Sequence, residues 1–233
     1  MNNIKIYSVH FNRPDFVKLQ LDSFNRFVKN EFEFVIINNA NDPEISKQCE
    51  LLNIECVSCD NSHLDPSSSH SAGLAMLQEY ITNDGDIHII LDHDMFIIDD
   101  VDLVEYSKDY SLIFLNQQSS GVDYIWPGLV VINSNNSPDL HTLGFSYGIF
   151  NDIRFDSGGE SCSYLLNNNL NNRLLLHVPF FVNDTDELNA AMYHYDKTFL
   201  HYFRGSNWIN MSDDIIKLKD KKINDIIYGT DTI

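Results

Sequence analysis

Four short apolar runs recur through the first ninety residues, and they limit the fold more than any other feature of the chain. They are residues 4–11 (IKIYSVHF), 34–37, 54–58 and 87–91. Between the first two, Phe16, Leu19, Leu21, Phe24 and Phe27 recur near helical period from about Asp15, which predicts a helix. A shorter helix is predicted over Ile45–Leu52, and another from Ala72 to about Ile81, fed by a loop rich in Ser and His over Asp60–Ser71. Strands alternating with helices at this spacing form right-handed βαβ units, hence an α/β sheet with helices on its faces. A short apolar run such as Ile87–Leu91 marks a central strand covered on both sides. In such sheets ligands bind beyond the carboxyl ends of the strands.

After residue 100 the pattern loosens. Leu112–Leu115, Leu129–Ile132 and residues 174–182 read as strands, and Gly158-Gly159 precedes a helix. Asp213–Tyr228 carries Ile215, Ile216, Leu218, Ile223, Ile226 and Ile227 among lysines, the pattern of an amphipathic helix packed on the domain. No repeat or linker interrupts the 233 residues. One domain is expected: a ligand-binding half over about 1–100, a second half over about 101–212, and a C-terminal helix over 213–233.

The formal net charge of −19 argues against non-specific nucleic-acid binding, which depends on neutralising phosphates. Any phosphate-bearing ligand would need local positive charge from a metal or a few placed basic groups. No apolar run is long enough for a membrane span, and the opening Met-Asn-Asn-Ile-Lys lacks a signal-peptide pattern, so a cytoplasmic protein is expected. Cys49, Cys56, Cys59 and Cys162 do not form a disulfide framework for a chain of this length. Cys56-x-x-Cys59 has no second Cys/His pair at zinc spacing, so reduced structural cysteines are expected.

The chemistry concentrates in Ile89-Ile90-Leu91-Asp92-His93-Asp94-Met95-Phe96. Two carboxylates two apart, just past a buried strand, can converge on a hard cation such as Mn²⁺ or Mg²⁺. Solvated carboxylates at a strand end are the plainer alternative. Far along the chain, Leu200-His201-Tyr202-Phe203-Arg204-Gly205-Ser206-Asn207-Trp208 gathers a His, an Arg, a Gly and an Asn into a few positions. Imidazole can ligate Mn²⁺, and guanidinium pairs well with phosphate. Phe155-Asp156-Ser157-Gly158-Gly159-Glu160 supplies two further acids, Asp156 and Glu160, either of which could serve as a general base or merely cap a helix. Ile125-Trp126-Pro127-Gly128 offers an aromatic face that suits a sugar ring, or a core Trp followed by a turn.

In order and spacing the first 100 residues resemble the nucleotide-binding half of GT-A glycosyltransferases, especially family 2 and small viral and bacterial relatives. Val9-His-Phe-Asn12-Arg13-Pro14 resembles that family's opening strand and its Thr-x-Asn-Arg-Pro turn. Val35-Ile-Ile-Asn-Asn39 stands at its second strand, Ser71-Ala72-Gly73-Leu74 is similar to the segment approaching the pyrophosphate, and Leu91-Asp92-His93-Asp94 stands at its Asp-x-Asp. The resemblance implies a GT-A, Rossmann-like α/β fold with a mixed, mainly parallel sheet. It implies a metal-dependent glycosyltransferase that uses a nucleotide-diphosphate sugar, with a UDP-hexose as leading donor and a glycan or other hydroxyl as acceptor.

It further implies that Asn12, Asn39 and Asp60 lie near the base and ribose, with Arg13 also in the donor site, Ser71 near the pyrophosphate, and Asp92 on ribose or metal. Asp94 and His201 would hold the metal, Arg204 would face the donor phosphates with Asn207 also in the donor site, and Asp156 or Glu160 would be the base. The family's acidic turn after strand two is Asn38-Asn39 here, a departure at the base-reading position. A haloacid-dehalogenase-like phosphohydrolase also places Asp-x-Asp after an apolar strand, but wants Thr or Val where Phe96 stands and usually sets the motif near the start of the chain. A non-catalytic GT-A-like binding protein is the remaining alternative, against which the retained Asp92, Asp94 and His201 argue.

Overall fold

The computed structural model describes residues 3–150, 152–183, 187–205 and 211–229. Strands β1 (Ile4–His10), β2 (Glu33–Asn38), β3 (Glu55–Ser58) and β4 (Ile87–Asp92) alternate with helices α1 (Asp15–Phe27), α2 (Pro43–Leu52) and α3 (Pro66–Met76). Then follow β5 (Met95–Ile97), α4 (Leu103–Ser107), β6 (Leu112–Ser119) and β7 (Val122–Asn133). Next come the pair β8 (Ile149–Phe150) and β9 (Ile153–Arg154), helix α5 (Ser161–Asn167) and strands β10 (Arg173–Leu174) and β11 (His177–Phe181). The chain continues through β12 (Ala191–Tyr195) and β13 (Phe199–His201) to helix α6 (Asp213–Tyr228).

Seven strands form a mixed, mainly parallel sheet in the order β10-β6-β7-β4-β1-β2-β3, with β7 running against β4 and β6. Ile6 and Ile89 pair across its centre, and both are fully buried. Helices α1 and α2 cover one face; α3 and the segment Leu140–Phe145 cover the other. This is the α/β architecture that the four apolar runs predict. A second, antiparallel sheet has the order β11-β12-β13-β5. The chain passes from one sheet to the other between Asp92 and Met95, so the Asp-His-Asp stretch is the joint between them. α6 packs Ile215, Ile223, Ile226 and Ile227 into a cluster with Phe16, Phe96 and Leu200, and its observed bounds match the predicted ones.

Three expectations are corrected. α3 begins at Pro66, not Ala72, because Asp65 accepts a hydrogen bond from the Ser68 N–H and Pro66 is suited to the first helical position. It ends at Met76 and passes into a 3-10 turn over Leu77–Glu79, short of Ile81. The single strand predicted over 174–182 is two short ones, β10 at the end of the large sheet and β11 at the edge of the small one. Pro179 lacks an N–H and is tolerated at an edge, and Val178 there is 60% exposed. β7 is far longer than predicted. Its register against β6 jumps from Val130 opposite Phe114 to Trp126 opposite Leu115, so residues 127–129 bulge out.

Candidate functional site

A cavity of about 380 Å³ opens at the carboxyl ends of β1 and β4. Val9, Asn39, Ser69 and His70 form one wall, and Trp126, Pro127 and Asp156 a second. Asp92, His93 and Asp94 line it from the joint, and His201, Phe203 and Arg204 from the small sheet and the turn beyond it.

The joint is held from behind by Gln20, buried on α1. Its Nε2 donates to the carbonyls of Asp92 (3.0 Å) and Met95 (2.8 Å), and its Oε1 lies 2.9 Å from His10 Nε2. Since the Gln20 amide nitrogen is spent on carbonyls, His10 donates through Nε2. Burial, with His93 beside it, pushes the His10 pKa down to about 3, so it is neutral at physiological pH. One turn along α1, Ser23 accepts the Ile97 N–H at 2.8 Å and donates to its carbonyl.

The two carboxylates then diverge. Asp94 is only 5% exposed, so it is not the solvated strand-end carboxylate of the plainer alternative. Its Oδ2 accepts the Gly205 N–H at 2.7 Å, and its Oδ1 lies 3.3 Å from His201 Nε2. Burial acts to raise the Asp94 pKa, but His201, His93 and the Gly205 N–H outweigh it and hold the carboxyl well below its usual range. The Tyr202 N–H binds the Asp94 carbonyl at 2.8 Å. Asp92 is more open, with 22% of its side chain exposed, and its Oδ1 lies 2.7 Å from His70 Nε2. Burial lowers the His70 pKa, but the Asp92 carboxylate, with Asp94 and Asp156 beyond, outweighs burial and raises it. The bulge in β7 brings Gly128 against this pair. A Cβ there would lie 2.8 Å from Asp92 Oδ2 and 2.3 Å from the Trp126 ring, so only glycine permits the approach.

His201 stands opposite Met95 in the β13–β5 ladder, which is why it meets the joint. Its Nδ1 lies 3.2 Å from the Tyr195 hydroxyl, and its ring centre 5.2 Å from that of Trp126. Among the described residues, no three His, Cys, Asp or Glu side chains converge as a metal group. The pair Asp94 Oδ1 and His201 Nε2 nevertheless fits one cation: two ligands about 2.1 Å from an octahedral ion and at right angles are about 3 Å apart. Small divalent cations commonly take one or two protein ligands and complete their shell with phosphate oxygens and water. Asp92, read from the sequence as a ribose or metal residue, lines the same cavity with its Oδ1 against His70.

The other sequence-derived residues divide. Asn39, Asp156 and Arg204 line the cavity. The Asn39 amide donates to the Ser69 carbonyl and hydroxyl, and its oxygen accepts from Asn61, so it also braces the wall. Arg204 Nη1 donates to Asn189 Oδ1 at 2.6 Å. Ser71 lies behind the lining, hydrogen-bonded to Ser157 and the Tyr147 N–H. Arg13 is buried on the Phe16 ring and paired with Asp15 and Asp220, so it ties α1 to α6 and does not line the cavity. Asn12 is half-buried in the turn after β1, outside the lining. Asp60 is exposed and bonded to Ser62, also outside it. Glu160, exposed at the start of α5, packs on Gly144 and does not reach the cavity. Asn207 lies outside the described residues.

His70, Gln20, His10 and His93 went unassigned in the sequence. Only Gln20 left a signal: with Ser23, it is polar on the helix face that Phe16, Leu19 and Phe24 make apolar.

No family model matches the chain, and no curated protein matches it in sequence. Solved structures similar in fold include the mannosyltransferase PcManGT from Pyrobaculum calidifontis in complex with GDP-Man and Mn²⁺, 10% identical, with a TM-score of 0.45. That match covers 69% of this chain but 50% of the mannosyltransferase, so the chain spans about half of that protein's length. Mouse xyloside xylosyltransferase 1 in its apo form is 13% identical over 61% of this chain and 72% of that one, with a TM-score of 0.41. An active-site mutant of LgtC is 15% identical over 74% and 72%, with a TM-score of 0.39. What the chain is similar to, at low identity, is therefore a set of glycosyltransferases.

Proposed function

We propose that this chain is a metal-dependent glycosyltransferase that moves a sugar, with a UDP-hexose as leading donor, onto an acceptor hydroxyl. The observation that carries the reading is the meeting of Asp94 and His201, 3.3 Å apart at the strand-end joint, with Arg204 in the same cavity wall. In a chain of net charge −19, a diphosphate gains nothing from the overall field and must be held by such local groups.

In this reading Asp94 and His201 would hold Mn²⁺ or Mg²⁺, which when bound would supply positive charge for the nucleotide diphosphate leaving group. Arg204 pairs with phosphate oxygens. Val9, Phe11 and Asn39 form the nucleoside end, and Trp126 with Pro127 gives the sugar an apolar face. Asp156, exposed on the rim, takes the acceptor proton as the sugar–phosphate bond breaks and the new glycosidic bond forms. His70, fixed by Asp92, is a polar contact for the donor.

Calorimetry with UDP and uridine, with and without Mn²⁺, together with turnover of UDP-hexoses, tests this. The wild-type protein should bind UDP more tightly with Mn²⁺ than without, and release UDP from a UDP-hexose. Asp94→Asn, which keeps an acceptor for the Gly205 N–H, should lose the Mn²⁺ stimulation of both. Unchanged Mn²⁺-stimulated turnover in that variant would overturn the assignment, and tighter binding of GDP than UDP would overturn the donor.

A further inference from the structure

α6 carries a lysine on its buried face. Lys219 falls four residues after Ile215 and four before Ile223, in the apolar stripe of the helix, and is fully buried. A buried ammonium is costly unless its protons are taken up. Lys219 Nζ donates to the carbonyls of Phe203 (2.9 Å) and Asn189 (3.0 Å), and lies 4.7 Å from the centre of the Tyr202 ring. A leucine or methionine would satisfy the packing without the charge, so packing does not explain the residue.

The segment it grips needs holding. Phe203 (φ 59°) and Arg204 (φ 62°) are consecutive non-glycine residues in the left-handed region, which L side chains rarely adopt. This conformation turns the Gly205 N–H onto Asp94 Oδ2. Glycine is required there, because a Cβ would lie 2.4 Å from the Asp94 Cβ. Asn189 serves twice: its carbonyl binds Lys219, and its side-chain oxygen binds Arg204. Next to Lys219, Asp220 binds the Tyr202 hydroxyl at 2.8 Å. Beyond the apolar packing of Tyr202 on α6, the hydrogen bonds described from this segment to the helix thus run through two adjacent residues, Lys219 and Asp220.

We propose that Lys219 is a positioning residue for the diphosphate end of the cavity: by clamping the Phe203 and Asn189 carbonyls it sets the left-handed turn that presents the Gly205 N–H to Asp94 and Arg204 to the donor phosphates. The inference rests on the nucleotide-sugar reading of the cavity, and makes α6 part of the donor site rather than a cover over the core. Burial also pushes the Lys219 pKa down to about 8, as expected for an ammonium held mainly by neutral carbonyls.

Lys219→Met keeps the stem and removes the donor. Two measurements decide the matter: amide hydrogen exchange at Gly205 in the ligand-free protein, and the affinities for UDP and uridine with Mn²⁺. The variant should lose protection at Gly205 and bind UDP about tenfold or more weakly, with uridine unchanged. Unchanged Gly205 protection, or equal losses for UDP and uridine, would overturn the proposal. If Lys219→Met does not fold, Lys219→Gln, which keeps a donor without the charge, is read by the same two measurements. Asn189→Leu, which frees Arg204 and leaves Lys219 on the carbonyls, should give a smaller loss confined to UDP. A wild-type protein that binds neither ligand would defeat the donor reading, and Gly205 exchange would still decide whether Lys219 sets the turn.

Discussion

The two sides of the cavity are held by different means. On the side of Val9 and Asp92, the strands lie in parallel ladders where consecutive residues pair from Ile4 to His10. Stability there is spread over many equivalent backbone bonds. Beyond His201, where the β13–β5 ladder ends, the side formed by Phe203 and Arg204 rests on single anchors: Gly205 on Asp94, Arg204 on Asn189, Lys219 on Phe203. A wall of the first kind resists point changes, whereas one of the second kind can be undone by a single side chain. The Asp92–Met95 joint belongs to both, because its backbone ends the ladder while its carbonyls depend on Gln20.

The joint is therefore where the contrast breaks most severely. Gln20→Leu should leave the Asp92 and Met95 carbonyls and the His10 N–H without their partner. At about 1–3 kcal/mol for each of these buried groups left unsatisfied, a destabilisation of about 3 kcal/mol or more is expected in chemical denaturation, with loss of transfer. A change below about 1 kcal/mol would show that the ladder alone holds the joint. Arg204→Ala acts on the anchored side only. Losing a charged hydrogen bond of about 1.5–3 kcal/mol should weaken UDP-sugar binding roughly ten- to a hundredfold and leave uridine binding nearly untouched. Equal losses for both would make Arg204 a structural residue.

The smallest effect sharpens the ladder side. His10 has its pKa lowered to about 3 by burial, so between that value and its ordinary 6.5 the unfolded chain binds the proton that the folded chain refuses. Stability should fall as pH drops through this window, by at most about 1.4 kcal/mol per unit. His93, also lowered by burial, acts in the same sense. His70 is raised and acts in the opposite sense: its contribution is fully present below the unfolded value and is lost as pH rises through the folded one. Denaturation of wild type and His10→Asn between about pH 4.5 and 6.5, above most carboxylate titration, should show a shallower slope in the variant. Identical slopes would mean that His10 is protonated in the folded protein.

The same contrast governs how much could be read from the residues. β1 to β4 were legible because strands covered on both faces appear as apolar runs, and α6 because its apolar stripe recurs at helical period. Asp94 and His201 were legible as types at a strand end and in a dense late cluster. The roles of Gln20, His70 and Lys219 were not, even where Gln20 stood out as polar on an apolar face, because each acquires its role from a partner far along the chain: Gln20 from Asp92, 72 positions on, and Lys219 from Asn189, 30 positions back. Arg13 misled for the same reason, since its partner Asp220 stands 207 positions away. Glu160 and Asp156 were equivalent in the sequence, and the turn between them separates a residue packed on Gly144 from one on the cavity rim.

The grip of Lys219 on the Phe203 carbonyl also bears on the order in which the molecule comes into being. A ribosome delivers β1, α1 and the carboxylate joint early, and Gln20 can secure that joint as soon as β5 follows. His201, Arg204 and α6 emerge later. Until α6 docks, the Phe203 and Asn189 carbonyls lack the Lys219 ammonium that holds them. On the reading proposed above, a chain cut before Lys219 would hold a diphosphate less tightly than one that includes it.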